Sequence, residues 1–194
     1  MIPLKLKLGH TVYVAFLVPA YWRYWGPRNF LWFSDVALIG MAPALWREDR
    51  RLTSMLALFA VLPEIPWNLG YFARLFTGRE FFGLTHYMFD RKIPLWIRAL
   101  SLFHVWLPLL LVWSVRRLGY DRRALGTGVL VGEAVLTASY VLAPPKENIN
   151  WVYGPGEKPQ KKISRGLYLC GVMLFFPLCV WWPMHRILAR WSSR

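Results

Sequence analysis

Six long apolar segments, separated by stretches rich in Lys and Arg, constrain the fold of this chain more than any other feature. Hydrophobic residues make up 56% of the 194 residues and aromatic residues 17%, and a helix of about 20 apolar residues is long enough to cross a bilayer. The sequence therefore predicts a single all-α domain over residues 1–194, a polytopic transmembrane helix bundle with about six spans. The predicted spans lie near residues 9–22, 30–46, 52–72, 93–115, 125–143 and 167–187.

The first predicted span is the weakest. It is shorter than the ~17 residues that cross a bilayer unaided, and it contains Pro19, so a short tilted span and an interfacial segment are both open. A cleavable signal peptide is the rival interpretation. No small-residue cleavage site follows, and the aromatic stretch YWRYW resembles an interfacial belt, which favours a segment of the mature protein.

The strong positive charge is consistent with a membrane protein. The net charge is +14, from 24 Lys and Arg against 10 Asp and Glu. The basic residues are divided among the connections between apolar segments and do not form one patch interleaved with aromatic residues, which argues against nucleic acid as a partner. Membrane lipid is the expected partner. The basic loops are balanced between the two sides, although REDRR and RRLGYDRR favour cytoplasmic termini.

Several ionisable residues lie inside the apolar segments, where such residues usually have a function or a partner. Asp35 lies in the second segment next to Ser34, and Glu64 lies in the third, between Pro63 and Pro66. The prolines interrupt the helical hydrogen bonds, so Glu64 and Asn68 are candidates to line a polar cavity. Their spacing of four residues is equally typical of side chains that hold neighbouring helices together.

His104 lies near the middle of the fourth segment, with Ser101 three residues before it. A neutral imidazole can act as a general base near neutral pH, but a buried His is often only a hydrogen-bonded core residue. The four His residues have no metal-ligand spacing, and the two Cys residues suggest no disulfide. We therefore predict no metal and no cofactor, with haem or chlorophyll ligation by His104 as the remaining alternative.

The long connection APPKENINWVYGPGEKPQKKISR is rich in Pro, Gly, Asn and Lys, which indicates an aqueous or interfacial loop. Its NINWVYG core is expected to fold back over the mouth of the bundle. Trp151 and Tyr153 in this core are therefore candidates to line the same cavity.

The segments FLWFSD, HVWLP and NWVYGP, in this order, resemble the androgen-induced and androgen-dependent intramembrane hydrolases, and the layout is also similar to YwaF-type bacterial integral membrane proteins. The resemblance covers about residues 29–155. It implies hydrolysis of fatty-acyl esters by an intramembrane Thr and His. The His corresponds to His104 and the acid to Asp35, while the Thr position falls on Trp32, whose indole has no nucleophilic hydroxyl.

Ser34 is the candidate to replace the missing Thr as nucleophile, with His104 as base and Asp35 or a neighbouring amide orienting it. It follows Trp32 by two residues, about 200° around a helix, so the two side chains face nearly opposite ways. The alternative is that Ser34 is a small residue that permits close helix packing.

The stretches PRNFLWFSD, SLFHVWLPLLL and GYDRRAL also resemble bacterial membrane proteins, which implies a multi-pass protein of the bacterial inner membrane. Three function classes remain open. The first is an intramembrane hydrolase of a lipid or fatty-acyl ester. The second is a non-catalytic subunit or scaffold of a larger membrane complex that binds protein partners, lipid or pigment. The third is a small transporter, which the lack of visible repeats makes the least favoured.

Overall fold

The computed structural model describes residues 1–81, 83–156 and 158–191, and the regular structure in these ranges is helical, without strands. Short 3₁₀ turns occur at Pro27–Leu31, His86–Phe89 and Ile149–Trp151, and a π-helical turn at Phe176–Trp181 continues α8 into α9. The nine α-helices of the described ranges are α1 Leu4–Tyr24, α2 Phe33–Arg47, α3 Arg50–Ala60, α4 Glu64–Thr77, α5 Leu95–Leu100, α6 Phe103–Leu118, α7 Ala124–Leu142, α8 Arg165–Phe175 and α9 Trp182–Trp191.

The all-helical fold is as predicted, but the number of spans is smaller than six. Within the described ranges, three helical stretches are long and apolar enough to cross a membrane: Leu95–Leu118, Ala124–Leu142 and Arg165–Trp191. The pair α3 and α4 makes a fourth if it counts as one broken span. Six predicted spans therefore become three, or four with the bent pair.

The two remaining predicted spans are helical but differ from a standard span for physical reasons. Helix α2 has 15 residues, fewer than the ~17 needed to cross the hydrocarbon core. Helix α1 has 21 residues, but Lys5, Lys7, His10 and Arg23 reduce its mean hydropathy. The apolar pattern located helical structure in each predicted segment, although the third, fourth and sixth segments contain two α-helices each. The length and polar content of the helices set the count of candidate spans.

The boundary between α3 and α4 is a bend of 50°. Pro63 lies at this boundary and Glu64 is the first residue of α4. A proline ring removes one backbone donor and clashes with the preceding turn, so a helix bends or ends there. The bend places the N-terminus of α4, where the helix dipole is positive, at the position of Glu64.

Helix α3 lies at the centre of the bundle, where it packs against α2, α6 and α7. Its residues 53–60 are all buried. Asp49 caps its N-terminus, since the carboxylate accepts a hydrogen bond of 2.9 Å from the Leu52 N–H. Helix α3 therefore begins at the basic loop and ends just before the bend at Pro63.

An aromatic cluster joins α2, α3 and the π-helical turn. The rings of Phe33 and Phe59 lie 5.1 Å apart, and those of Phe59 and Trp181 lie 5.5 Å apart. Trp181 is completely buried and packs against Gly132 of α7, where an added Cβ would lie 2.1 Å from the indole. Glycine at position 132 is what allows the indole to approach α7 so closely.

The outer surface of the bundle carries many aliphatic side chains, as expected of helices that face lipid. Leu109, Leu130, Val141 and Leu174 are each more than 60% exposed. An apolar surface of this kind is unusual for a protein that faces water on all sides. These four residues lie on the three stretches that meet the length and hydropathy requirements of a membrane span.

Candidate functional site

A cavity of about 450 Å³ lies where the N-terminal parts of α2, α4 and α6 converge beneath the loop that follows α7. Further walls come from the end of α1, the turn before α2, the connection between α4 and α5, and the π-helical turn. Six of the eight site residues predicted from the sequence line this cavity, although they come from four separate parts of the chain. They are Ser34, Asp35, Glu64, Ser101, His104 and Trp151.

The most specific arrangement in the cavity is a pair formed by His104 and Glu64. The Nδ1 atom of His104 lies 2.8 Å from Oε2 and 2.9 Å from Oε1 of Glu64. Both side chains are largely buried, with 13% of His104 and 5% of Glu64 exposed. When Glu64 is ionised it can only accept, so Nδ1–H donates and Nε2 keeps the free lone pair of a base.

Asn68 and Trp67 fix the position of this pair. The Asn68 amide donates hydrogen bonds of 2.9 Å to the Glu64 carbonyl and 2.8 Å to the His104 carbonyl. The Trp67 ring stacks on the imidazole with 4.5 Å between ring centroids. Asn68 was expected to line the cavity, but it lies outside the lining and instead connects α4 to α6 behind the pair.

The acid that orients His104 differs from the predicted one. The prediction assigned that role to Asp35 or a neighbouring amide, whereas the carboxylate within hydrogen-bonding distance of the ring belongs to Glu64. Asp35 is 3% exposed and lines the cavity. Among the described residues, its Oδ1 atom has no hydrogen-bond partner. The reason for the difference is the bend at Pro63, which places Glu64 opposite α6.

The two hydroxyl residues of the cavity have different surroundings. The Ser101 hydroxyl lies 2.6 Å from the hydroxyl of the buried Tyr21, so Ser101 connects the start of α6 to α1. Ser34 lies in the first turn of α2 and is partly exposed to the cavity. In the described part of the chain, no hydrogen bond joins Ser34 to His104, and bonds of that kind often tighten only when substrate is bound.

The loop after α7 closes the mouth of the cavity, and Asn150 attaches it to α2. The Asn150 carboxamide accepts a hydrogen bond of 3.1 Å from the Phe33 N–H and donates one of 2.7 Å to the Leu31 carbonyl. Asn150 and the neighbouring Trp151 have positive φ angles of 52° and 59°. This conformation is unusual for a bulky residue such as Trp, and the hydrogen bonds of Asn150 hold it in place.

An ion pair on the outer side also attaches the loop. The Arg28 guanidinium donates two hydrogen bonds to Glu147, of 2.9 Å and 2.6 Å. These bonds hold the pKa of Glu147 below its usual value. Glu147 and the adjacent Lys146 both lie at the mouth of the cavity.

Tyr153, predicted to line the cavity, lies outside the lining. Its hydroxyl donates hydrogen bonds to the carbonyls of Tyr140 and Ala143 at the end of α7, and its ring stacks on Tyr140 with 5.0 Å between centroids. Tyr153 therefore anchors the loop to α7, whereas Trp151 faces the cavity.

Sequence reasoning missed two features of the site. The pairing of Glu64 with His104 joins residues 40 positions apart, and the only signal was that both are ionisable residues inside apolar segments. The aromatic character of the walls, to which Tyr21, Trp25 and Tyr87 contribute, was also missed. In the described ranges, no group of three or more His, Cys, Asp and Glu side chains is arranged to hold a metal ion.

The cavity therefore combines aromatic walls, an imidazole oriented by a carboxylate, a serine and a second buried carboxylate. Such a site is able to accept a proton from a hydroxyl or a water molecule in the cavity. Comparison of the chain with known protein families, with curated proteins and with solved structures gives no match.

Proposed function

We propose that this chain is a multi-pass protein of the bacterial inner membrane that hydrolyses a lipid or fatty-acyl ester in the cavity beneath the loop after α7. The observation that supports the proposal best is the 2.8 Å hydrogen bond between His104 Nδ1 and Glu64. A carboxylate on one ring nitrogen holds the imidazole in one tautomer and stabilises the imidazolium that forms during proton transfer, which is the role of the acid in Ser–His–acid hydrolases.

Ser34 is the proposed nucleophile. It lines the same cavity as His104, while Ser101 is already hydrogen-bonded to Tyr21. In the proposed reaction Nε2 of His104 takes the hydroxyl proton as Ser34 attacks the ester carbonyl carbon. His104 then returns that proton to the departing alcohol oxygen as the C–O bond breaks. Water, activated by the same imidazole, releases the carboxylic acid and restores the hydroxyl.

The start of α2 supplies a candidate site for the negative charge that develops on the carbonyl oxygen. Ser34 and Asp35 belong to the first turn of α2, whose backbone N–H groups have no acceptor within the helix. The positive end of the helix dipole acts in the same direction. The N–H of the residue after the nucleophile has this role in other serine hydrolases.

A lipid substrate fits a cavity that lies within the membrane, and two contacts of α1 support that placement. Helix α1 is tied to the Leu95–Leu118 stretch by the hydrogen bond between the hydroxyls of Tyr21 and Ser101. It is tied to α2 because His10 Nε2 donates a hydrogen bond of 2.9 Å to the Leu38 carbonyl. We therefore propose that α1 and α2 are also embedded, beside the three clear candidate spans. This arrangement gives a lipid chain in the bilayer a short path to the aromatic walls.

Labelling with a lipophilic fluorophosphonate, which reacts with activated serine hydroxyls, tests this proposal. We expect the purified protein in detergent to be labelled, with the adduct on the peptide that contains Ser34. The variants Ser34→Ala and His104→Ala are expected to lose the label. Ser101→Ala, which removes the other hydroxyl of the cavity, is the matched control and is expected to keep it.

A folded, monodisperse wild-type sample that takes up no label would contradict the assignment of Ser34 as nucleophile. An equal amount of label in wild type and His104→Ala would contradict the role of His104 as base. If long-chain esters are also left intact, the better interpretation is a non-catalytic lipid-binding subunit that works with protein partners.

A further inference from the structure

Asp35 has a role in the cavity that the proposed reaction does not explain. The side chain is 3% exposed and lines the cavity, and its Oδ1 atom has no hydrogen-bond partner among the described residues. A buried carboxylate oxygen without a donor is costly, and buried polar groups of native proteins nearly always have a partner. A donor on a ligand would supply the missing bond.

The other carboxylates of the cavity already have partners. Glu64 receives a hydrogen bond from His104, and Glu147 receives two from Arg28. The basic residue that lines the cavity, Lys146, lies at its exposed mouth and makes no hydrogen bond or ion pair with Asp35 in the described part of the chain. The inner part of the cavity thus has one carboxylate whose donor is missing.

The walls around Asp35 are of a kind that favours cations. Aromatic side chains line the cavity from several directions, namely Tyr21, Trp25, Trp32, Trp67, Tyr87 and Trp151. The face of an aromatic ring attracts an ammonium group, and Trp gives the strongest attraction. A cavity that combines such rings with a carboxylate oxygen lacking a donor therefore has the chemistry that an ammonium group needs.

We propose that the cavity binds an amphiphile that carries a cationic amine, with the ammonium group hydrogen-bonded to Asp35 and surrounded by the aromatic walls. The inference concerns the same cavity as the proposed hydrolase function and names its substrate class, an amine-bearing lipid. The ammonium group supplies the donor that Oδ1 lacks, and the alkyl chain extends along the aromatic surface.

A matched pair of probes tests this inference by calorimetric titration of the full chain in an uncharged maltoside detergent. Dodecylamine is an ammonium ion at pH 7, since alkyl amines have a pKa near ~10.4, and 1-dodecanol has the same chain without the charge. Protein-free micelles provide the baseline. We expect wild type to bind dodecylamine at least about 10-fold more tightly than dodecanol, equal to about 1.4 kcal/mol.

The variant Asp35→Asn is expected to reduce this preference to less than about 3-fold, and Asp35→Glu, which keeps the carboxyl group, to retain part of it. Asp35→Ser is a second neutral variant if the Asn variant does not fold. Glu133→Gln is the matched control, because both carboxylate oxygens of Glu133 are also buried without a partner, but Glu133 lies outside the cavity lining. This control is expected to bind like wild type.

Equal binding of amine and alcohol by wild type would overturn the inference, as would an undiminished preference in the neutral variants at position 35. The outcome is separate from that of the proposed reaction. Amine preference without serine labelling would support the amine site and contradict the hydrolase proposal. Serine labelling without amine preference would support the hydrolase proposal and contradict the amine site.

Discussion

Replacing Glu64 by Gln tests the His104–Glu64 pair with the smallest possible change of shape. The variant keeps the size of the side chain but removes its charge, and its amide can donate to Nδ1. A donor at that position would stabilise the tautomer in which Nε2 carries the proton and cannot act as a base. The expected result is a loss of activity with little change in substrate binding.

The magnitude follows from the geometry of the pair. A hydrogen bond to a charged group contributes about 1.5–3 kcal/mol, and the 2.8 Å contact lies in a largely buried environment. At about 1.4 kcal/mol for each tenfold change, the loss corresponds to a decrease of about 10- to 150-fold in kcat. The reversed tautomer favours the upper end of this range.

The assay is the steady-state hydrolysis of a fluorogenic long-chain ester by purified variants. We expect Glu64→Gln to lower kcat and to change KM by less than about 3-fold. The control is Glu133→Gln, the same chemical change outside the cavity, with activity close to wild type. In the His104→Ala background the Glu64 substitution is expected to add little further loss, because the two residues act as a unit.

If Glu64→Gln had the kcat of wild type while His104→Ala was inactive in the same assay, the orienting role of the carboxylate would be refuted. Independent losses that multiply in the double variant would refute the claim that the two side chains act together.

Three further predictions concern the surroundings of the site. Gly132→Ala places a Cβ against Trp181 and is expected to destabilise the protein by about 1–3 kcal/mol, measurable by thermal unfolding in detergent. Asn68→Ala removes the hydrogen bonds to the carbonyls of both members of the pair, and we expect kcat to fall about 10-fold while the helical circular dichroism is retained. The ion pair of Arg28 and Glu147 lowers the pKa of Glu147. It therefore stabilises the closed loop above the pKa of unfolded Glu, about 4.3, and that stabilisation is lost as the pH falls through the lowered folded value. The protection of the loop amides against hydrogen exchange, measured relative to their intrinsic exchange rate at each pH, is expected to decrease on acidification in wild type and to be low at every pH in Glu147→Gln.

The helices of this protein could be predicted from local pattern. Each of the six apolar segments coincides with helical structure, and the two prolines around Glu64 indicated the break between α3 and α4. The span count could not be predicted in the same way, since it depends on where each helix ends. The apolar segment near residues 30–46 contains a turn as well as α2, which leaves that helix short.

The composition of the cavity was also partly predictable. Polar residues in apolar segments identify candidates, and most of them lie in one cavity. Which of these residues contact each other depends on how the helices pack. Glu64 reaches His104 because the bend at Pro63 turns α4 towards α6, and sequence spacing contains no information about the partner of a helix. The position of Tyr153, which is buried outside the cavity lining, depends in the same way on contacts with α7.

The hydrolysis of a long-chain acyl ester by wild type, His104→Gln and His10→Gln tests the central claim most directly. His10 is the matched control, because it is a buried imidazole that lies outside this cavity. We predict that wild type and His10→Gln turn over the ester at similar rates and that His104→Gln loses at least about 100-fold, the usual contribution of a general base. Equal rates for all three proteins, or no turnover by folded wild type, would contradict the account.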